Sequence, residues 1–391
     1  MPHLPEERLA RYQRRRQQRL QGLSALRSAP TRADAQAWYR TDELLVVDDE
    51  RRHVERYLAG RGREVTRLGD EPVVPGFRRY LTRGLDVPGA IQAVHAELAS
   101  GAQVAFPNHV FFSTPFNHGG PFGPPMPADA SVLRPRRNDV RLVSVAIIDT
   151  GLWEDSQLPE VYFKPGAVEV ETQTDVDADG KLDGDVGHAN FIAGVIVLHT
   201  RRVELSVLKV LDTFGICTED QLIKALDRLD PSVQVINLSL GGFTLDGQPP
   251  LPLQAALERA LTSADRVAVA AAGNNGNRVE PFWPAAFAAT GHSWSERVAA
   301  VAAHDGWEVC EWSNAGPWIT LAAPGQDVRS TYINHPEFPS GWAQWSGTSF
   351  ATPRVVAEVA KRIGRETSAL AALRQVVDTA QVKFGGYPGL T

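Results

Sequence analysis

The residues able to do covalent chemistry stand in four short motifs between Asp149 and Ser349. The apolar run Val143-Ser144-Val145-Ala146-Ile147-Ile148 ends in Asp149-Thr150-Gly151. Such a run predicts a strand buried on both faces, which puts the carboxylate at a strand's C-terminal edge. Alone, the triplet fits half of an aspartic protease site or a plain turn; an aspartic site needs a second triplet, and the sequence has none. Next, Gly187-His188-Ala189-Asn190-Phe191-Ile192-Ala193-Gly194 predicts a helix entered at the histidine and packed closely through Ala193 and Gly194. A lone histidine is ordinarily structural, and this one gains weight from a matching nucleophile later in the chain. Gly347-Thr348-Ser349-Phe350-Ala351-Thr352-Pro353 predicts a serine at a helix N-terminus, with Pro353 in the first turn. By itself that serine is an N-cap. The same helix end turns backbone N–H groups and partial positive charge toward a developing oxyanion. Last, Val267 to Ala272 leads into Gly273-Asn274-Asn275-Gly276, a buried strand and a turn. If that strand lies beside the one bearing Asp149, the Asn274 amide can donate to the oxyanion opposite the Ser349 N–H.

In this order the motifs resemble those of the subtilisin-like serine proteases, the subtilases, where Asp, His, oxyanion Asn and Ser succeed one another. The resemblance covers Val140 to about Ala360. It includes Leu208-Lys209-Val210-Leu211, Val235-Ile236-Asn237-Leu238-Ser239-Leu240-Gly241-Gly242 and Ala322-Ala323-Pro324-Gly325. It implies that His188 is the general base for Ser349, that Asp149 orients the imidazole, and that Asn274 and the Ser349 N–H hold the oxyanion. It also implies that Ser239, Leu240, Gly241 and Gly215 line the cleft and pair with an extended substrate. One departure stands next to the base. The family usually continues its histidine with Gly-Thr-His, and this chain has Ala189, Asn190 and Phe191. The departure keeps a second reading open, a non-catalytic subtilase fold that binds peptides or acts as a scaffold.

These residues require a scaffold of alternating strands and helices. From residue 140 to 391 the apolar runs alternate with helical segments, which predicts an α/β domain with a mostly parallel central sheet in three layers. Residues 1–40 read as a basic helical arm with a patchy apolar face at Leu4, Leu9, Tyr12, Leu20 and Leu23, either solvated or bound to an acidic partner. Residues 41–113 read as strands at Leu44 to Val47, Glu64 to Leu68, Phe77 to Leu81 and Val104 to Phe112, with helices from His53 to Leu58 and Pro88 to Leu98. That order is βαββαβ, a small ferredoxin-like α+β domain. Its ending, Pro107-Asn108-His109-Val110, is similar to that of subtilase propeptides, which implies an intramolecular inhibitor; a separate adaptor domain is the other reading. Residues 114–139, dense in Pro and Gly, read as a linker, which the enzyme itself is expected to cut if the preceding domain is a propeptide.

The spacing Asp175, Asp177, Asp179, Gly180, Asp183 is that of a calcium loop, although Val186 stands where an EF-hand has its bidentate Glu. A structural calcium and a solvated acidic loop are both compatible with it. The chemistry itself needs no cofactor. Cys217 and Cys310 lack metal-ligand or disulfide-framework spacing and are expected to be reduced. A net charge of -6 argues against nucleic acid as a partner, and no run is long and apolar enough for a membrane helix. The arginines of the first thirty residues lead into no apolar signal core, which predicts a cytoplasmic protein and leaves secretion open. An α/β-hydrolase is excluded because Ala351 replaces the final Gly of Gly-x-Ser-x-Gly and the nucleophile comes last in the chain, not first. P-loop, dinucleotide, zinc-protease and Cys-x-x-Cys patterns are absent. The expected partner is a protein or peptide substrate.

Overall fold

The computed structural model describes residues 6–31, 35–61, 66–67, 72–82, 84–98, 102–113, 123–137, 140–176 and 178–391. The arginine-rich start forms a helix, α1 (Glu6–Gly22), that stops at Gly22 instead of reaching residue 40. The chain then forms a hairpin, β1 (Leu26–Pro30) with β2 (Gln36–Val47), where the charged composition predicts a continuing helical arm to residue 40. There follow α2 (Arg51–Ala59), β3 (Thr66–Arg67), β4 (Phe77–Leu81), α3 (Val87–Glu97) and β5 (Ala105–Ser113). Pro88 sits in the first turn of α3, where its missing N–H costs nothing. From β2 onward this is the βαββαβ order, with strands arranged β5-β2-β4-β3. Glu64, Val65 and Leu68 of the expected second strand lie outside the described residues.

Part of the expected linker, 114–122 and 138–139, also lies outside them. β6 (Met126–Pro127) adds to a small sheet, and the indole of Trp345 donates to the Gly123 carbonyl at 3.0 Å.

The larger region begins with β7 (Val143–Asp149) and β8 (Phe163–Val168), then α4 (His188–His199), β9 (Val203–Lys209), β10 (Ile216–Thr218) and α5 (Glu219–Asp227). Next come β11 (Val235–Leu238), β12 (Leu240–Gly241), α6 (Leu251–Thr262), β13 (Val267–Ala271), β14 (Val298–His304) and β15 (Leu321–Pro324). β16 (Val328–Thr331), β17 (Trp342–Trp345), α7 (Thr348–Arg362), α8 (Ala369–Thr379), β18 (Val382–Phe384) and β19 (Tyr387–Gly389) complete it. The main sheet runs β18-β19-β15-β14-β13-β11-β7-β9-β8 and is parallel except for the β18–β19 pair.

Alternation along β7 shows the three layers directly. Val143, Val145 and Ile147 join the apolar cluster with α4 and α7, while Ala146 and Ile148 join the cluster with α5 and α6 on the other face. Full burial on both sides is what the uninterrupted apolar runs require. The N-terminal sheet does not end at its own edge, because β5 pairs antiparallel with β10 on one side and β12 on the other. No helix among the described residues is long and apolar enough to cross a membrane.

Candidate active site

Asp149 is the last residue of β7, at its C-terminal edge. Its Oδ1 accepts from its neighbour, the Thr150 N–H, at 2.8 Å and lies 2.7 Å from His188 Nδ1. His188 opens α4, entered through Gly187 at φ 76°. A Cβ at Gly187 would lie 2.6 Å from the Tyr332 ring, so both the left-handed turn and the space demand glycine there. Gly194 closes the helix onto β16, since a Cβ would come within 2.2 Å of the Ser330 and Thr331 hydroxyls. With Asp149 on Nδ1, His188 Nε2 has no hydrogen-bond partner among the described residues. Trp345 meets the imidazole edge to face at 5.5 Å, and Phe350 lies 5.3 Å away.

The three residues in place of Gly-Thr-His each have a built environment. Ala189 is fully buried and its N–H donates to Thr150 Oγ1 at 3.1 Å. Asn190 brackets the backbone of Trp153, accepting its N–H at 2.9 Å and donating to its carbonyl at 2.8 Å. Phe191 packs on Phe350 at 4.5 Å and Trp345 at 5.8 Å. Asn190 therefore ties the helix that carries His188 to the loop that leaves Asp149. This role was not read from the sequence, because the bond joins a side chain to backbone 37 residues away.

Ser349 is the second residue of α7. Its hydroxyl donates to the Ser239 carbonyl at 3.4 Å, a long bond, and the Ser239 hydroxyl donates to the Ser349 carbonyl at 2.9 Å. The second bond explains a difference from expectation: Pro353 lies inside α7 and not in its first turn. Proline at that place removes the N–H that would have bonded the Ser349 carbonyl four residues earlier. Ser239, positioned in turn by the Asn237 amide at 2.9 Å, supplies the missing donor.

Asn274 comes after β13, which is not adjacent to β7 because β11 lies between them. Its Oδ1 accepts both the N–H and the hydroxyl of Thr348, each at 2.9 Å. That fixes the amide's orientation. Nδ2 is left buried with no partner among the described residues. A buried amide donor without a partner is costly, and it marks where an acceptor belongs.

Of the expected cleft residues, Gly215, Leu240 and Gly241 flank β5, while Ser239 lies with Ser349. The Ser113 N–H donates to the Gly215 carbonyl at 2.8 Å, Leu240 registers with Ser113, and Gly241 registers with Phe112. A Cβ at Gly215 would lie 1.9 Å from Ser113 Oγ, and one at Gly242 would lie 2.8 Å from Phe111. Glycine at these two walls is what admits the strand. Asp149, His188 and Ser349 are fully inaccessible to solvent in this arrangement.

Among the described residues no group of three or more His, Cys, Asp or Glu is gathered as the calcium-loop spacing predicts. Asp177 lies outside the described residues, and the other three carboxylates do not converge on a common point. Asp175 accepts the N–H groups of Asp179 and Gly180, Asp179 accepts that of Lys181, and Asp183 accepts the Thr213 hydroxyl at 2.7 Å. A guanidinium, from Arg15, lies among them, 2.7 Å from Asp183. Calcium needs about six to eight convergent oxygens, and the three described carboxylates, Asp175, Asp179 and Asp183, do not supply them.

Residues 141–380 match the sequence model described as the Subtilase family, peptidase S8. Among curated proteins, the chain is 30% identical over 254 residues to a thermophilic serine proteinase of Bacillus sp. (strain AK1), covering 62% of this chain and 57% of that one. It is 29% identical over 237 residues to an intracellular serine protease of Paenibacillus polymyxa, covering 56% and 66% respectively. The chain thus spans less than two thirds of the length of either relative. Among solved structures, fervidolysin from Fervidobacterium pennivorans, described as a keratinolytic enzyme related to subtilisin, superposes with a TM-score of 0.60 at 17% identity. That match covers 90% of this chain and 60% of fervidolysin, and it shows a shared fold.

Proposed function

The chain belongs to the subtilase family, and we propose that it is a serine endopeptidase in which Asp149, His188 and Ser349 are the catalytic triad and Asn274 is the side-chain oxyanion donor. The observation that carries this reading is the 2.7 Å contact between Asp149 and His188 Nδ1, with Nε2 unengaged among the described residues. A carboxylate on Nδ1 selects the tautomer with its proton there and leaves a lone pair on Nε2 to act as base. The Ser349 hydroxyl turns from the Ser239 carbonyl to Nε2, gives up its proton and attacks the scissile carbonyl. Negative charge then develops on the carbonyl oxygen, where Asn274 Nδ2 and the Ser349 N–H donate. His188 passes the proton to the leaving amine, and an acyl-enzyme remains. Water, deprotonated by the same imidazole, releases the acid and restores Ser349.

The N-terminal region, residues 41–113, is on this reading an inhibitor within the chain, and residues 114–139 are the segment cut to relieve it. β5 supports this by lying antiparallel between β10 and β12, as an extended substrate would. Its neighbours reinforce the seat: Asn108 donates to Asp220 at 2.9 Å, and His109 Nδ1 lies 2.8 Å from Glu219 in the first turn of α5. The substrate is a protein or peptide in extended form, read backbone first. The test is to incubate the pure chain with denatured casein beside a Ser349→Ala variant, monitoring casein fragments and the mass of the chain. The expected result is casein cleavage and a cut within 114–139 with Ser349 alone. Equal fragmentation by both proteins would overturn the proposal.

A further inference from the structure

Arg15 is only 9% exposed although it lies in the most arginine-rich stretch of the chain. Its guanidinium spans the acidic loop. Nη1 donates to the Leu182 carbonyl at 2.8 Å, Nη2 to Asp183 Oδ1 at 2.7 Å, and Nε lies 3.4 Å from Asp179. Asp175 stands 3.7 Å away. A planar fork of N–H donors suits carbonyl and carboxylate oxygens spread in this manner, whereas a divalent ion needs them gathered around one point.

We propose that the guanidinium of Arg15 is the resident cation of the loop from Asp175 to Asp183, in the place the carboxylate spacing gives to calcium. The helix α1 is then a fixed part of the cleft wall and not a free basic arm. Asp183 is fully enclosed, and a buried carboxylate needs a cation or several donors to stay ionised. Arg15 provides the cation, while Thr213 Oγ1 and the Val176 N–H donate to the other oxygen at 2.7 and 3.0 Å.

The contact reaches the cleft through Thr213 and Asp185. Thr213, held by Asp183, accepts the Asp185 N–H at 3.0 Å through its carbonyl, and the Asp185 carbonyl accepts the His188 N–H at 3.1 Å. Two residues beyond Thr213 is Gly215, the wall against β5. The rest of α1 is set to the same register. Arg19 pairs with Asp212 at 3.3 Å and lies 5.8 Å from the Phe214 ring centroid, and Leu20 and Leu23 pack on the cluster of Val110, Phe214 and Ile216. Arg14, one position before Arg15, is exposed, so burial is set by helical facing and not by composition.

The test uses the full chain carrying Ser349→Ala, so that it cannot cut itself and the outcome does not depend on the protease reading. Hydrogen exchange and thermal unfolding are recorded in millimolar calcium and in chelator, with Arg15 and with Arg15→Ala. The Arg15 chain is expected to show the same exchange at 175–185 and the same Tm, within about 1 °C, in both solutions. Arg15→Ala is expected to speed exchange in α1 and in 175–185 by about tenfold or more, since one partner of a buried pair is lost. A fall of several degrees in chelator for the Arg15 chain, or unchanged exchange in Arg15→Ala, overturns the proposal. Should Arg15→Ala not fold, Arg15→Lys keeps the charge and loses the fork. It is expected to exchange faster than the parent at 175–185, and exchange equal to the parent's overturns the assignment.

Discussion

Replacing Phe111 by alanine should open the cleft while leaving Asp149, His188, Ser349 and Asn274 unchanged. Phe111 lies on β5 and is fully buried in the apolar cluster of the larger region that includes Cys217, Leu222 and Leu240. The missing side chain at Gly242 gives its ring room, with a built Cβ only 2.8 Å from Phe111 Cδ1. Truncating a buried Phe to Ala costs about 3 to 5 kcal/mol. If the lower figure falls wholly on the seated strand, the opening equilibrium of β5 rises by about 150-fold, at roughly 1.4 kcal/mol per decade. The rate at which a fluorophosphonate probe labels Ser349 reads that equilibrium, because the intact chain hides the hydroxyl completely. Intact mass at short times, before any self-cleavage accumulates, distinguishes opening from cutting. A labelling rate within about twofold of the parent's would refute the claim that the strand's seat in the cleft controls access.

The geometry sets three further outcomes. Asn274→Ala should lower kcat by about 100- to 1000-fold with little change in KM, a range borrowed from loss of the oxyanion asparagine in subtilisin; a change confined to KM would contradict the oxyanion role. Cys217 and Cys310 are buried, and burial pushes both thiols up, Cys310 to about 12. Maleimide should therefore label neither in the native chain and both after unfolding, and native labelling would contradict this. His304 is stacked 3.7 Å from Phe384, with Nδ1 accepting the Gly306 N–H and Nε2 donating to the Leu390 carbonyl, and burial holds its pKa below the ordinary 6.5. The unfolded imidazole takes up its proton near that value and the folded one only below it, so stability is lost as pH falls from about 6.5 toward the folded pKa. The drop in Tm between pH 7.5 and 5.5 should shrink in His304→Gln, and an equal drop in both would contradict it.

The residues proposed for catalysis were legible because each motif marks a change of element. A strand buried on both faces leaves an apolar run that ends at Asp149, and the glycines before His188 and Ser349 precede helices that begin one residue later. What escaped was carried by contacts distant in sequence. The hairpin from Leu26 to Val47 was hidden by an arginine-rich composition, and β1 is a mostly exposed edge strand. The separation of β13 from β7 by β11 is a matter of strand order, which local periodicity does not encode. Pro353 reads as a first-turn proline until Ser239, 110 residues before Ser349, is seen to supply the missing donor. The acidic loop shows the same limit. Its spacing is that of a metal site, and the cation found in it comes from Arg15, 168 residues before Asp183.

On the proposed mechanism Ser349 is the nucleophile of a triad with His188 and Asp149. The most direct measurement is to treat the pure chain with a fluorophosphonate and map the adduct by peptide mass, beside Ser349→Ala and His188→Ala. One adduct is expected, on Ser349, absent from the first variant and strongly slowed in the second. No adduct on Ser349 in either the intact or the cut chain would contradict it.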